Sequence, residues 1–306
     1  MVSDNSSGKH KLSIGFPVYN GENFLQNRLE GILSQTFSDF ELIISDNAST
    51  DSTADICKKY ALKDNRILYI RQENNTGPFN NFKFVLDKAQ NKYFVFAAVD
   101  DLWESTFLEK NIQILDSNDD VVGSISKSKR YGSTVKDFSI SSEDSIFLRI
   151  YKKTRSYFRK YGSVSIIGSY DERIGLFLRN LSGQSVYGIF RTIYFKQVFP
   201  FKPIISWDAI SILKMLKFGE IRVIDEELLR FYSGGFSSEG MTNTLNDIKI
   251  GKLGIIFPTT RFTIWCIKNL GYKIFLKNFD VFLISITVVN LHMTLSELWR
   301  LIKKNH

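Results

Sequence analysis

The first 125 residues alternate between two hydrophobic periodicities, and this alternation limits the chain to few folds. Short runs of consecutive apolar residues predict five buried strands. These runs are 11–16 (KLSIGF), 41–46 (ELIISD), 67–71 (ILYIR), 93–98 (YFVFAA) and 121–125 (VVGSI). The segments between them place apolar side chains on one helical face, as Phe24, Leu25 and Leu29 do in the first. Strand–helix alternation of this length predicts an α/β fold with a mostly parallel sheet flanked by helices.

Polar side chains follow four of these predicted strands at their carboxyl ends. The four groups are Tyr19 with Asn20, Asp46 with Asn47, Asn74 with Asn75, and Asp100 with Asp101. Ligands of parallel sheets bind at this edge, so the four groups together predict one shared site. Any single group has a simpler explanation as a turn, since Asn and Asp commonly end strands.

Beyond this sheet the pattern changes. From Ser126 to about Lys160 the chain is basic and weakly periodic, which predicts a connection and a helix. From Asp171 onward helical patterns dominate. The polar amino terminus has no apolar signal-peptide core, and the cysteines Cys57 and Cys266 lie far apart, so we expect reduced thiols in a cytoplasmic protein.

Several function classes are disfavoured by missing motifs. The three histidines are scattered and the two cysteines fit no metal spacing, which argues against a zinc site and a histidine-based triad. The sequence contains neither a GxxxxGK[ST] phosphate loop nor GxGxxG after the first strand, which argues against a dinucleotide-dependent oxidoreductase. No nucleic-acid-binding motif accompanies the formal net charge of +8, so no nucleic acid is expected as a partner.

Asp100 and Asp101 stand side by side after a buried strand, where their charges repel each other. Paired carboxylates without histidine suit a hard divalent cation, Mg²⁺ or Mn²⁺, that bridges them to substrate phosphates. Alternatively, one acid caps the following helix and the other faces water. The residues alone support these two interpretations about equally.

The segment IGFPVYNGENFLQNRLEGILSQTFSDFELIISDNASTDST resembles the opening of the family 2 glycosyltransferases, which are inverting enzymes of the GT-A fold. The likeness continues through NNTGPFNN, FAAVDDLW, VYGIFR and WDAISILKMLKFG to about Ser238. It implies a GT-A domain over 1–240, with a nucleotide-binding half at about 10–125 and an acceptor half at about 126–240. A basic, amphipathic helical extension is expected over 241–306.

The resemblance implies a metal-assisted, inverting transfer of sugar from a nucleotide-diphosphate sugar to a hydroxyl of a glycan or lipid-linked acceptor. Pro17, Tyr19 and Asp46 match positions that hold the nucleotide base and ribose. Asn75 matches the element beside the nucleotide.

Five further residues belong to the reacting part of the predicted site. Asp100 matches the acid that reaches Mg²⁺ or Mn²⁺, and Asp101 beside it is the second predicted metal ligand. Asp208 matches the catalytic base, although by itself it is an acid favoured near a helix amino terminus. Trp103 and Trp207 lie where aromatic faces could line an acceptor sugar.

Two positions depart from the family pattern. Ala98 stands where the first acid of Asp-x-Asp is expected, and SGGFSS after LLRFY lacks a histidine that is often found there. These departures motivate a different hypothesis, a non-catalytic GT-A-like scaffold of a membrane-bound glycan assembly complex. A sugar nucleotidyltransferase is a further alternative, which would release pyrophosphate. The remaining acids favour the glycosyltransferase.

The carboxyl-terminal segment carries most of the positive charge. From Lys249 onward nine Lys or Arg face two acids, a surplus of seven. The segment also contains Phe257, Phe262, Trp265, Phe275, Phe279, Phe282 and Trp299. Its apolar core, 281–289, is shorter than the ~20 residues that span a bilayer, and it predicts an amphipathic helix at the cytoplasmic membrane face. The alternatives are helices packed on the catalytic domain or in a dimer contact, so the oligomeric state stays open.

Overall fold

A computed structural model describes residues 8–132, 164–180, 183–204, 206–233 and 258–290, with isolated positions between 141 and 153. Its centre is one eight-stranded sheet. The strands are β1 (Leu12–Val18), β2 (Phe40–Asp46), β3 (Ile67–Arg71), β4 (Tyr93–Phe96), β5 (Leu102–Trp103), β6 (Val121–Tyr131), β7 (Ile189–Arg191) and β8 (Glu220–Tyr232).

Helices connect and cover these strands. They are α1 (Glu22–Leu33), α2 (Thr53–Ala61), α3 (Pro78–Lys88), α4 (Phe107–Ser117), α5 (Tyr170–Arg179), α6 (Thr192–Val198), α7 (Trp207–Met215), α8 (Pro258–Leu270), α9 (Tyr272–Lys277) and α10 (Phe279–Ile284), with a 3₁₀ turn at Gly183–Tyr187 and a π-helical turn at Ser285–Val289.

The strand order is β3-β2-β1-β4-β7-β6-β8-β5. Strands β3, β2, β1 and β4 pair in parallel, which confirms the predicted mostly parallel α/β sheet. The fifth predicted strand, β6, does not join β4 directly, because β7 lies between them and pairs antiparallel with both. β7 is only three residues long and comes from late in the chain, so no local periodicity could reveal its place.

The two faces of the sheet carry two hydrophobic cores. In β4, Tyr93 and Val95 pack into one core, while Phe94 and Phe96 pack into the other. Side chains alternate across a strand, and here both sides are covered, which is why the strand reads as an uninterrupted apolar run. The same sheet passes through both predicted halves, so the division near residue 125 stays a prediction about function.

Two segments are strand where the sequence pattern predicted otherwise. Residues 126–131 continue β6 instead of beginning a connection, and β8 occupies 220–232 where helices were expected to dominate. The two strands pair with each other in parallel, and Lys127 contacts Asp225 while Lys129 lies 3.7 Å from Glu227. Their charged side chains obscure the alternation of apolar and polar residues that marks a strand. The two strands form nevertheless, because pairing between distant segments stabilises them.

The carboxyl-terminal helices pack against the main domain. Phe262 and Cys266 of α8, Ile274 of α9, and Val281 and Phe282 of α10 are buried in the core that also contains residues of α5 and α7. The structure therefore favours packing on the catalytic domain, one of the alternatives for this segment. Among the helices that the structure describes, none is long and apolar enough to cross a bilayer. The SGGFSS residues after 233, Phe257 and Trp299 lie outside the described residues.

Candidate functional site

The acid pair lies where three strands end near one another. The chain leaves β4 at Phe96 and reaches Asp100 and Asp101 just before β5, which pairs with β8. The backbone N–H of Tyr232, the last residue of β8, donates to Oδ1 of Asp101 at 3.3 Å. The hydroxyl of Tyr131, at the end of β6, donates to the carbonyl of Asp100 at 2.5 Å. Strands β6 and β8 therefore frame the acids that follow β4.

A buried arginine supplies part of the charge compensation. Arg28 of α1 is almost fully buried, its Nε donates to the carbonyl of Ala98 at 3.0 Å, and its Cζ lies 4.1 Å from the ring centroid of Trp103. Within the described part of the chain, neither of its terminal nitrogens has a hydrogen-bond partner. Burial lowers the pKa of Arg28 to about 10, and attraction to Asp101 and Asp100 works against that shift.

This compensation is incomplete. Burial, followed by repulsion from Asp100, raises the pKa of Asp101 to about 7, although Arg28 pulls it downward. Burial also raises the pKa of Asp100. Two carboxylates buried without enough positive charge are destabilised in their ionised form, and a bound cation would relieve this.

The carboxylate oxygens of Asp100 and Asp101 fit Mg²⁺ or Mn²⁺ if a bound ligand supplies further oxygens. Such ions prefer oxygen ligands and often bind one or two carboxylates together with substrate phosphates and water. Asp100 is half-buried and Asp101 is buried, and across the described ranges no group of three or more His, Cys, Asp or Glu side chains could hold a metal. The residues therefore suit a cation shared with a phosphate-bearing ligand.

Asp46 is in a different state, because the protein itself satisfies its carboxylate. The side chain is fully buried, and Oδ1 accepts the backbone N–H of Ser49 at 2.8 Å. Oδ2 accepts the hydroxyl of Tyr69 at 3.0 Å and Nη1 of Arg71 at 2.9 Å. A nucleoside contact by this carboxylate would require the exchange of at least one of these partners.

The ends of β1, β2 and β3 converge, as the strand pattern predicted. Nδ2 of Asn47 donates to Oδ1 of Asn75 at 2.8 Å, and that oxygen also accepts the N–H of Gly77 at 2.9 Å. Pro17 is half-buried in β1, and Tyr19, which follows that strand, is exposed over 47% of its surface. Tyr19 therefore offers a ring to a ligand at this edge.

The candidate base lies on the same side as the acid pair. Asp208 is in the first turn of α7, and burial raises its pKa, although backbone N–H groups pull it downward. Burial also raises the pKa of Tyr187, and the charges of Asp101, Asp100 and Asp208 add to that shift. Tyr187 is thus within electrostatic reach of all three acids. Nothing in the sequence pattern pointed to this tyrosine.

The predicted acceptor-facing tryptophans have other surroundings. Trp103 is only 8% exposed, with Arg28 over its ring and Phe107 at 4.8 Å between ring centroids. This packing leaves little of the Trp103 ring to a sugar, so the acceptor role of Trp103 stays a prediction that its surroundings do not favour. Trp207 is half-buried and packs on Phe199 at 5.1 Å and Phe82 at 5.4 Å. The sequence around each tryptophan could not reveal which face of its ring the hydrophobic core would cover.

Other aromatic residues lie beside the acids instead. The ring of Tyr232 is 5.3 Å from that of Tyr131 and 5.1 Å from that of Phe24, which is exposed. Tyr131 and Tyr232 also hydrogen-bond the acid pair, as described above. Sequence reasoning missed them because they end β6 and β8, the two strands whose extent was not predicted.

Comparison with protein families gives one match over half of the chain. The model described as glycosyl transferase family 2 matches residues 13–170. This match ends earlier than the resemblance, which continues to about Ser238.

Two curated relatives illustrate the sequence likeness. The chain is 33% identical over 107 residues to the putative teichuronic acid biosynthesis glycosyltransferase TuaG of Bacillus subtilis, covering 35% of this chain and 42% of that protein. It is 33% identical over 106 residues to the UDP-Glc:alpha-D-GlcNAc-diphosphoundecaprenol beta-1,3-glucosyltransferase WfaP of Escherichia coli, covering 35% of this chain and 41% of that protein. The chain thus spans less than half the length of either relative.

Solved structures show the same fold at low sequence identity. The TarS 1–349 fragment of S. aureus in complex with UDP-GlcNAc aligns with a TM-score of 0.56 and 21% identity, over 76% of this chain and 61% of that one. The mannosyltransferase PcManGT of Pyrobaculum calidifontis, in complex with GDP-Man and Mn²⁺, aligns with a TM-score of 0.50 and 14% identity, over 74% and 57%. These likenesses support the GT-A fold alone.

Proposed function

The chain belongs to glycosyl transferase family 2, and from this premise we propose that it transfers a sugar from a nucleotide-diphosphate sugar to a hydroxyl group, with inversion at the anomeric carbon. One observation carries the proposal beyond the family. Tyr187 lies within electrostatic reach of Asp100, Asp101 and Asp208, and burial raises the pKa of all three acids. Raised pKa values of this kind cluster at catalytic and ligand-binding sites.

The donor is proposed to lie along the carboxyl edge of β1 to β4. Tyr19 would stack on the nucleotide base, with Pro17 and Asn75 beside it. Asp46 would contact the ribose or base only by exchanging a protein partner. Asp100 and Asp101 would hold Mg²⁺ or Mn²⁺ against the diphosphate, and the cation would stabilise the charge that develops on the leaving group. The complexes of TarS with UDP-GlcNAc and of PcManGT with GDP-Man and Mn²⁺ support this donor class.

Asp208 is the proposed base. A sugar hydroxyl becomes a competent nucleophile when a carboxylate accepts its proton as the new glycosidic bond forms. A pKa raised by burial makes Asp208 a better proton acceptor than an ordinary exposed Asp. The acceptor oxygen then bonds to the anomeric carbon from the face opposite the departing nucleoside diphosphate, which inverts the configuration.

The acceptor is proposed to be a growing glycan or a lipid-linked glycan. The name of WfaP specifies a diphosphoundecaprenol-linked acceptor, and that of TuaG specifies teichuronic acid biosynthesis. We infer a cytoplasmic enzyme that works peripherally at the membrane face, with 1–240 as the catalytic domain and 241–306 as its extension. Of the two tryptophans, only the half-buried Trp207 keeps a proposed acceptor contact.

Two observations favour the non-catalytic scaffold as a second candidate. Ala98 replaces an acid, and the carboxylate of Asp46 is fully occupied by protein groups, so two expected donor contacts are weakened. A scaffold would bind a nucleotide without turnover, and Asp208→Asn would leave that binding unchanged.

A donor screen tests the proposal. Full-length protein is incubated with UDP-, GDP- and TDP-sugars and either Mn²⁺ or Mg²⁺, and release of nucleoside diphosphate is measured with Asp208→Asn as the control. We expect slow hydrolysis of one donor class, dependent on metal and lost in the variant. Release of pyrophosphate from a nucleoside triphosphate would instead identify a nucleotidyltransferase. Absence of any donor binding or hydrolysis would refute the enzymatic proposal.

A further inference from the structure

The helices α9 and α10 are apolar on two faces, and among the described residues only one of these faces is covered. The inner face, formed by Ile274, Val281 and Phe282, is buried in the core of the domain. Asn278, at the junction of the two helices, is also buried, and its Oδ1 accepts Nη1 of Arg179 at 2.7 Å. These contacts tie both helices to α5, so their orientation on the domain is set by packing.

The opposite side carries a second row of large apolar residues. Its members follow one another at spacings of four, three and four residues, which places them on one side of the helical pair. They are Tyr272, Leu276, Phe279 and Leu283, with exposed fractions of 63%, 54%, 49% and 48%. We call these four residues the outer stripe.

The outer stripe is a continuous surface. The ring of Phe275 lies 5.9 Å from that of Tyr272 and 5.8 Å from that of Phe279, so aromatic contacts link these two members across the junction of α9 and α10. Single exposed apolar residues are ordinary on protein surfaces, whereas a contiguous row marks an interaction surface. Burying both faces explains why this segment is apolar in more positions than a helix packed on one side needs.

The charges around the outer stripe indicate what it contacts. Lys273 and Lys277 are exposed and belong to the same helix as Tyr272 and Leu276, and Lys277 also lies 3.9 Å from Asp171 of α5. The one acid of α9 and α10, Asp280, accepts two hydrogen bonds from Arg179, at 3.0 and 3.1 Å. Over 258–290 four basic residues (Arg261, Lys268, Lys273 and Lys277) face this single acid, a surplus of three. An apolar row flanked by lysines matches an anionic lipid surface.

We propose that the outer stripe docks on an anionic bilayer surface, with its apolar side chains among the headgroups and Lys273 and Lys277 against lipid phosphates. The inner face stays in the protein core, so docking requires no unfolding of α9 or α10. The proposal identifies the residues behind the peripheral location proposed above. The biological role of this docking rests on the proposed function. The docking itself does not, since lipid binding can be measured without any sugar transfer.

This geometry makes truncation of the carboxyl-terminal helices an uninformative test of docking. Removing 241–306 would take Phe262, Ile274 and Phe282 out of the core and uncover the residues that they cover, so a shortened chain would fail through loss of its core. Substitutions in the outer stripe avoid this problem, because the exposed side chains contribute little to folding. Leu276→Glu combined with Phe279→Glu places two negative charges on the docking side. Leu62→Glu is the matched control, since Leu62 is 89% exposed at the end of α2.

Full-length protein and variants are floated with vesicles of phosphatidylcholine, with and without phosphatidylglycerol, at low and high salt. We expect the wild type to bind the anionic vesicles and to keep part of this binding at high salt, since apolar burial is insensitive to salt. The double variant should lose binding by about tenfold or more, and Leu62→Glu should match the wild type. Lys273→Gln should weaken binding roughly fivefold, the loss expected for one charge near the surface.

Three results would overturn the proposal. One is a wild type that ignores anionic vesicles, and another is a double variant that binds them as well as the wild type. The third is a dimer in light scattering that the double variant converts to a monomer, which would assign the outer stripe to a second copy. Thermal unfolding of each variant confirms folding, and if the double variant is unstable, Lys273→Gln with Lys277→Gln provides the test. Donor hydrolysis in the absence of vesicles reports separately on the proposed function.

Discussion

Two neighbouring regions of one sheet edge end in acids, and the protein treats these acids differently. At the end of β2, Asp46 is buried and accepts hydrogen bonds from Ser49, Tyr69 and Arg71. At the end of β4, Asp101 is also buried, but its hydrogen bond from the Tyr232 backbone N–H is long, at 3.3 Å. The first carboxylate holds a turn together, whereas the second keeps a pKa raised to about 7.

The difference distinguishes an acid with a structural role from the acids that we propose bind a ligand. Burying a carboxylate is tolerated when hydrogen bonds and an opposite charge compensate it, and Ser49, Tyr69 and Arg71 supply these to Asp46. Asp101 is buried and Asp100 and Asp208 are half-buried, all three with less such support, and we propose that a bound group explains their positions. Identical residue types at equivalent strand ends can therefore have opposite roles.

The largest expected effect concerns the acids with raised pKa. Asp208→Asn should lower turnover by roughly 10²–10⁴-fold and leave donor affinity nearly intact, because it removes the proton acceptor. Asp100→Ala should instead weaken metal-dependent donor binding, because it removes a carboxylate ligand. Titration calorimetry with donor and Mn²⁺, combined with initial rates, separates these effects. Equal loss of donor affinity in both variants would show that the roles are assigned wrongly.

The next effect is on stability at the end of β2. Asp46→Asn should lower the free energy of unfolding by about 2–4 kcal/mol, because Tyr69 and Arg71 lose a charged acceptor. Chemical denaturation with urea measures this change. Asp55→Asn is the control, since its carboxylate is 87% exposed on α2 and lies 4.0 Å from Lys58. An Asp46→Asn protein as stable as the wild type would remove the distinction drawn between the two strand ends.

The smallest effect is a change in the pH dependence of stability. The folded protein holds the proton of Asp101 more tightly than the unfolded chain, so this group favours folding at low pH and loses that contribution as pH rises to about 7. Asp101→Asn removes this loss. Without metal, we expect the variant to be about 1–2 kcal/mol more stable than the wild type at pH 8 and similar to it at pH 4.

Thermal unfolding across this pH range provides the measurement, with the exposed Asp119→Asn as control. Mn²⁺ should stabilise the wild type more than Asp101→Asn, since the carboxylate is ionised when it binds the cation. A variant that is less stable than the wild type at pH 8 would show that Arg28 compensates Asp101 fully.

Local sequence determined the part of this protein that we propose binds the nucleotide. Apolar runs and amphipathic helices alternate within short stretches, so β1 to β4 and the convergence of Asp46, Asn75 and Asp100 on one edge follow from periodicity and the handedness of crossovers. The same reasoning reached Asp208 only through resemblance to a family, because an acid in the first turn of a helix is common for other reasons.

Tertiary structure decided the rest, because it depends on contacts between distant segments. Arg28 lies on the first helix and meets Ala98 and Trp103 only in the folded sheet, which turned Trp103 from a predicted sugar platform into a core residue. Strand β8 forms because β6 pairs with it across about a hundred residues, and its own charges hide its period. The outer stripe became visible only when packing buried Phe282 and left Phe279 exposed, since the sequence marks both as apolar but cannot say which face the core covers.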